Sequence, residues 1–99
     1  MQVEHIDKNL ERLETDREFN GGFPENIVRA FRKRMQFVRQ AKDERDLRAI
    51  KSNHFEKMQG KLAGQYSIRL NDQLRLLFRF EDADQSKKIV IIAIKDPHK

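Results

Sequence analysis

The chain contains no cysteine. Disulfides and thiolate metal sites are thereby excluded. Its three histidines, His5, His54 and His98, lie too far apart for a local ligand motif of the H-x-x-x-H kind. No apolar run approaches the roughly 18 residues that mark a membrane span. The opening MQVEHIDKNLE lacks a basic stretch leading into an apolar one, so it does not have the form of a secretory signal. The expectations are a cytoplasmic location and no membrane partner. Repeats, linkers and low-complexity tracts are also lacking, and 99 residues leave no room for a second core. One domain over residues 1–99 is expected.

Charge is abundant. Charged residues make up 37% of the chain, as do hydrophobic ones, but the hydrophobic ones cluster periodically, which favours a folded domain over a disordered one. The net charge is +5. Residues 1–50 hold eleven Lys/Arg against ten Asp/Glu, a net of +1, and residues 51–99 hold ten against six, a net of +4. A basic second half suits a polyanionic partner, whether RNA, DNA or an acidic protein. Excess lysine that only keeps the protein soluble is the plainer reading.

Residues 1–6 alternate weakly and predict a short strand. Ile6, Leu10 and Leu13 recur at helical spacing behind Asp7, a plausible N-cap. Asn20-Gly21-Gly22 ends that unit. Pro24 starts the next one at a first-turn position. There Ile27, Val28, Phe31, Met35 and Val38 trace one face of a strong amphipathic helix extending to about Ala41. Residues 43–48 predict a further helical turn, with the acidic groups at its start, where the helix dipole favours them. Residues 51–64 predict a loop or short edge segment.

After Gly64 the period changes to two. Tyr66, Ile68 and Leu70 oppose Gln65, Ser67, Arg69 and Asn71. Asn71-Asp72 is a turn signal. Leu74, Leu76, Phe78 and Phe80 then alternate with Arg75, Leu77 and Arg79. Residues 81–86 predict a polar turn. The apolar run 89–94 suits a central strand, and Pro97 ends it. The expected fold class is α+β, in the order β-α-α-β-β-β, with a mostly antiparallel sheet and helices packed on one face.

Three features could carry chemistry. Arg69, Arg75 and Arg79 project from strand faces as outward residues. Such positions usually meet solvent, but arginine forks also bind phosphate bidentately, and a sheet face carrying several makes an RNA groove. The ending Lys95-Asp96-Pro97-His98-Lys99 supplies a histidine suited to proton transfer near neutral pH, although a terminal histidine is commonly just solvated. The loop Glu56-Lys57-Met58-Gln59-Gly60-Lys61 offers cations to phosphates without forming a P-loop.

Together these features match a family. Residues 59–80, QGKLAGQYSIRLNDQLRLLFRF, resemble the HigB branch of the RelE/ParE toxin superfamily, where a pattern like S-I-R-x-N-D-Q-x-R precedes the final strands. The ending Ile94-Lys95-Asp96-Pro97-His98 resembles the family's closing D-Y-H. The resemblance implies a RelE-like (microbial RNase-like) fold and a toxin of a type II toxin–antitoxin system. It implies a ribosome-dependent endoribonuclease that cuts mRNA in the A site without a metal or cofactor. A helix-turn-helix antitoxin would neutralise the toxin, and operator DNA would be reached only through that antitoxin. By position, Arg75 is the arginine of D-Q-x-R and a phosphate or transition-state contact. Asp96 and His98 fall on D-x-H, with His98 the acid/base. Arg69, Lys57, Gln59, Lys61 and Arg79 would contact RNA. Two departures stand out. Gln59 occupies a position where relatives often carry lysine, and Pro97 replaces the tyrosine. A ParE-like inhibitor of DNA gyrase and a catalytically inactive regulatory module are the alternatives.

Overall fold

In the computed structural model, residues 1–83 and 86–97 are described. The longest helix, α2 (Glu25–Gln40), buries Ile27, Val28, Phe31, Met35 and Val38, the stripe expected from the spacing. Pro24 sits one position earlier than expected. It is the N-cap, with φ −60°, and its carbonyl accepts from Ile27 and Val28. A proline loses nothing there because it has no N–H to satisfy. Helix α1 (Lys8–Thr15) starts at Asp7, whose carboxylate accepts from the Asn9 N–H at 2.8 Å, and buries Leu10 and Leu13. Helix α3 (Glu44–Ala49) is capped in the same way by Asp43.

Among the described residues, five strands form one sheet: β1 (Gln2–His5), β2 (Glu56–Lys57), β3 (Tyr66–Arg69), β4 (Arg75–Ala83) and β5 (Ser86–Lys95), in the order β1-β5-β4-β3-β2. Of the pairings among the described residues, the β1–β5 one is parallel and the other three are antiparallel, so the sheet is mostly antiparallel, as expected. The short strand β2 and two 3-10 turns, Lys51–Asn53 and Gly60–Leu62, occupy the stretch expected to be a loop or edge segment. The polar turn expected over residues 81–86 is a correction. Strand β4 continues to Ala83 and β5 begins at Ser86. Glu81 stands opposite Lys88, and Asp82 opposite Lys87. Opposite charges facing each other across a ladder support pairing that their polarity argues against.

The helices cover one face of this sheet. Leu10, Leu13, Phe31, Met35, Val38 and Leu47 form one buried cluster with Ile68, Leu76, Phe78, Ile89 and Ile91. A bulge between Leu77 and Phe78 shifts the register so that Phe78 meets Ile91 while Leu77 meets Ala93. The extra residue, Ile92, brings Ile94 as well as Ile91 against the helix-side core. An aromatic group joins the sheet to the connection after α3: the Phe55 ring lies 5.4 Å from Tyr66 and 5.9 Å from Phe78, and Arg48 stacks on Phe55. Among the described residues, no helix is long and apolar enough to cross a membrane.

Candidate nucleic-acid interface

Residues directly opposite in a ladder share a face. Arg69 stands opposite Arg75, Arg75 opposite Lys95, Ser67 opposite Leu77, and Arg79 and Glu4 both opposite Val90. The face away from the helices thus carries Arg69, Arg75 and Lys95 side by side at one end. The Asn71 side chain fixes the turn that makes this possible, accepting from the backbone N–H groups of Gln73 and Leu74 at 2.9 and 2.6 Å.

Arg75 is not the outward residue the alternation suggests. Only 12% of its side chain is exposed. Its Nε donates to Ser67 Oγ at 2.6 Å, and its Nη2 donates to the His54 carbonyl. Glu56 Oε2 lies 3.9 Å away. Burial draws the guanidinium pKa below its usual value; Glu56 opposes this and the Arg69 charge adds to it. Arg69 pairs with the exposed Asp72. The Arg69 backbone carbonyl accepts from Arg34 Nε of α2 at 3.2 Å, and the same guanidinium reaches the Ser52 carbonyl at 3.2 Å. Burial, then the Arg69 charge, lowers the Arg34 pKa as well.

The other expected contacts divide. Gln59 and Lys61 line a cavity of about 240 Å³ with Leu62, Lys95 and Pro97, so the loop and the C-terminal stretch meet. Gly60 adopts φ +64° in that loop, a conformation that suits a residue without Cβ. Half-buried Asp96 follows Lys95 directly. Lys57 is exposed but stands opposite Tyr66, on the face away from Arg75, whereas Glu56, opposite Ser67, shares the arginine face. Arg79 shares that face but sits four residues along β4, roughly 13 Å away. It belongs to a separate network there: Arg79 to Glu81 at 2.6 Å, with Lys88 bridging Glu4 at 2.9 Å and Glu81 at 4.0 Å. His98 lies outside the described residues. A larger hollow of about 430 Å³, beside Met1 and the start of α3, contains none of these groups.

Sequence reasoning missed Ser67, Arg34 and the His54 carbonyl. Ser67 had a signal, since it lies inside the S-I-R motif. Arg34 is one more arginine on a helix rich in them. The His54 carbonyl had no signal, because its direction depends on a left-handed backbone fixed by contacts remote in sequence.

A helix-backed, mostly antiparallel sheet that carries Arg69, Arg75 and Lys95 on the face away from the helices defines a small basic α+β protein. Residues 3–98 match the model of the HigB-like toxin family, described as the RelE-like toxin of type II toxin–antitoxin system HigB, and the chain belongs to that family. It is similar to Toxin HigB-1 of Vibrio cholerae serotype O1, at 34% identity over 99 residues, covering all of this chain and 99% of the relative. Solved structures share the fold. One is the YoeB-YefM complex from Staphylococcus aureus, with TM-score 0.60 and 20% identity, covering 96% of this chain and 94% of that one. Another is a YoeB/ParE toxin from Agrobacterium tumefaciens, with TM-score 0.54 and 14% identity, covering 97% and 98%.

Proposed function

We propose that this toxin is a ribosome-dependent endoribonuclease that cleaves mRNA in the A site. The carrying observation is the convergence of three separated stretches at one end of the sheet face away from the helices. Arg75 lies in register with Lys95, and the cavity beside Lys95 is lined by Gln59 and Lys61. The chemistry proposed is attack of a 2′-hydroxyl oxygen on the adjacent phosphorus. The 2′ oxygen loses its proton, the bond to the 5′ oxygen breaks, and that oxygen takes up a proton. The products are a 2′,3′-cyclic phosphate and a 5′-hydroxyl, with no net proton change.

The phosphorane charge and the leaving 5′ oxygen each have a candidate group, and the 2′ proton passes to water. Arg75 faces the phosphorane, where charge builds up. A donor already held by Ser67 and His54 does not have to be organised during the reaction, which is the condition for strong transition-state stabilisation. Arg69 and Lys95 flank it as contacts to the neighbouring phosphates. His98 is proposed as the acid for the leaving oxygen, with Asp96 orienting it. Gln59 offers a neutral amide where relatives often place a lysine, so Lys61 is proposed as the cation on that side. The partner proposed to silence the toxin is a cognate antitoxin that covers this basic face; the structure of the Staphylococcus aureus relative is described as a complex of YoeB with YefM.

The test uses ribosomes programmed with a defined mRNA. The wild-type chain should cut within the A-site codon. Arg75→Ala and His98→Ala should each slow single-turnover cleavage by about 100-fold. Intact mRNA together with inhibition of gyrase supercoiling would replace this reading with the gyrase one.

A further inference from the structure

We infer that Ser67 is a positioning residue for Arg75, so that the serine hydroxyl and the His54 carbonyl together set the direction of the proposed catalytic guanidinium. This rests on the nuclease reading above. Ser67 and Asn53 are the fully buried polar residues among those described, each at 0% exposure. Burying a hydroxyl is unfavourable unless it is hydrogen-bonded. Ser67 therefore sits at a position where an apolar side chain would be the simpler choice: directly opposite the buried Leu77, on a strand whose next residue is the core Ile68. Its hydroxyl accepts the Arg75 Nε–H at 2.6 Å.

The second acceptor is built with equal care. His54 has φ +45° and ψ +54°, a left-handed conformation uncommon in residues other than glycine, though histidine is among those that adopt it most readily. Such backbone persists where its surroundings enforce it. Both neighbours are pinned. Asn53 Nδ2 donates to the Leu47 carbonyl at 3.2 Å, and Phe55 is locked into the ring cluster of Tyr66 and Phe78. The left-handed turn between these anchors aims the His54 carbonyl at Arg75 Nη2. Nε and Nη2 are bonded to two acceptors on different elements, β3 and the connection after α3. A planar guanidinium gripped at two of its nitrogens has lost its rotation about the last side-chain bonds. One grip alone leaves that rotation available.

The experiment is a double-mutant cycle on programmed ribosomes with one NMR measurement beside it. Ser67→Ala should slow single-turnover cleavage by about 10- to 100-fold, while ribosome affinity stays within twofold and the far-UV circular dichroism stays that of the wild type. In an Arg75→Lys background the same change should slow cleavage no further, because the group being aimed is gone. Ser67→Thr, which retains the oxygen, should restore most of the rate. The Arg75 Nε–H should exchange slowly with solvent in the wild type and quickly in Ser67→Ala. The inference is overturned by wild-type cleavage in Ser67→Ala, by an equal fractional loss in both backgrounds, by a folded Ser67→Thr as slow as Ser67→Ala, or by an Nε–H that stays protected without the hydroxyl. A wild-type chain that leaves ribosome-bound mRNA intact defeats the nuclease reading instead, and the exchange measurement then decides the role of Ser67 alone.

Discussion

Arg75 shows what a period-two pattern conveys and what it conceals. The alternation of residues 74–80 puts this arginine on the face away from the helices, and the β3–β4 register agrees. The pattern says nothing of the loop that bends back over that face and takes the side chain out of solvent. The energetic expectation for Arg75→Ala therefore changes. An outward arginine could be lost at little cost, but here the buried Ser67 hydroxyl is left without its donor, which costs about 1–3 kcal/mol. Urea unfolding should show that loss alongside the loss of cleavage, and an unchanged midpoint would mean that water replaces the guanidinium freely. A half-buried polar group joins β1, α1 and α2. His5 Nε2 and Arg39 both bond to Glu14, at 2.8 and 2.9 Å. Burial pushes the Glu14 carboxyl pKa up, but the bonds from Arg39 and His5 outweigh it, and the net shift is downward. A carboxylate lowered on folding contributes stability above its unfolded value, here 4.5, and loses it as pH falls through the lower folded value. The stability gap between wild type and Glu14→Gln should thus be full near neutral pH and shrink below about pH 4.5. A gap that grows on acidification would contradict this coupling.

Elements were legible where burial leaves a pattern along the chain. Helix α2 follows from five apolar residues at helical spacing, and β3, β4 and β5 from alternation or a continuous apolar run. The ends were less legible, because they depend on partners remote in sequence. Glu81 and Asp82 look like turn residues alone and become strand residues opposite Lys88 and Lys87. The candidate site was legible in its motif and not in its supports. Arg69, Arg75 and Asp96 could be picked from the chain; the register that turns Lys57 away and Glu56 inward could not, because β2 is two residues long and has no period of its own. Contacts between elements follow the same rule, as Arg32 shows. Its helical position places it beside the apolar stripe, but only the folded chain reveals that its guanidinium reaches the carbonyls of Leu13, Asp16 and Phe19, at 2.9, 2.9 and 3.0 Å. These carbonyls belong to the end of α1 and the connection after it, so one side chain from α2 holds the α1–α2 corner closed. Arg32→Ala should cost about 2 kcal/mol in chemical denaturation, since bonds to a charged donor are the stronger kind. Arg29→Ala, whose ion pair with Glu25 is largely exposed, should cost less than about 0.5 kcal/mol and serves as the control. Equal losses in the two variants would remove the special role given to Arg32.

Across the whole molecule, charge and topology set behaviour that no single residue does. The net +5 is concentrated in the second half, which supplies most of the sheet. If Arg69, Arg75 and Lys95 each meet a phosphate, the logarithm of the RNA-binding constant should fall with the logarithm of salt concentration at a slope near −2, about −0.7 per contact for single strands. A slope near zero between low and physiological salt would show that the basic face does not meet the RNA backbone. The topology bears on the protein's own synthesis. Strand β1, made at the start, has β5 as its neighbour in the sheet, pairing His5 with Ile91 across most of the chain's length. Pairings this distant are slow to close and cannot begin until the later strand exists. A nascent chain that has released α1, α2 and α3 still lacks the strand that joins β1 to the rest and carries Lys95 beside Arg75. On the proposed reading the translating ribosome is the target, and the pairing of Arg75 with Lys95 cannot form on it until β5 has been made.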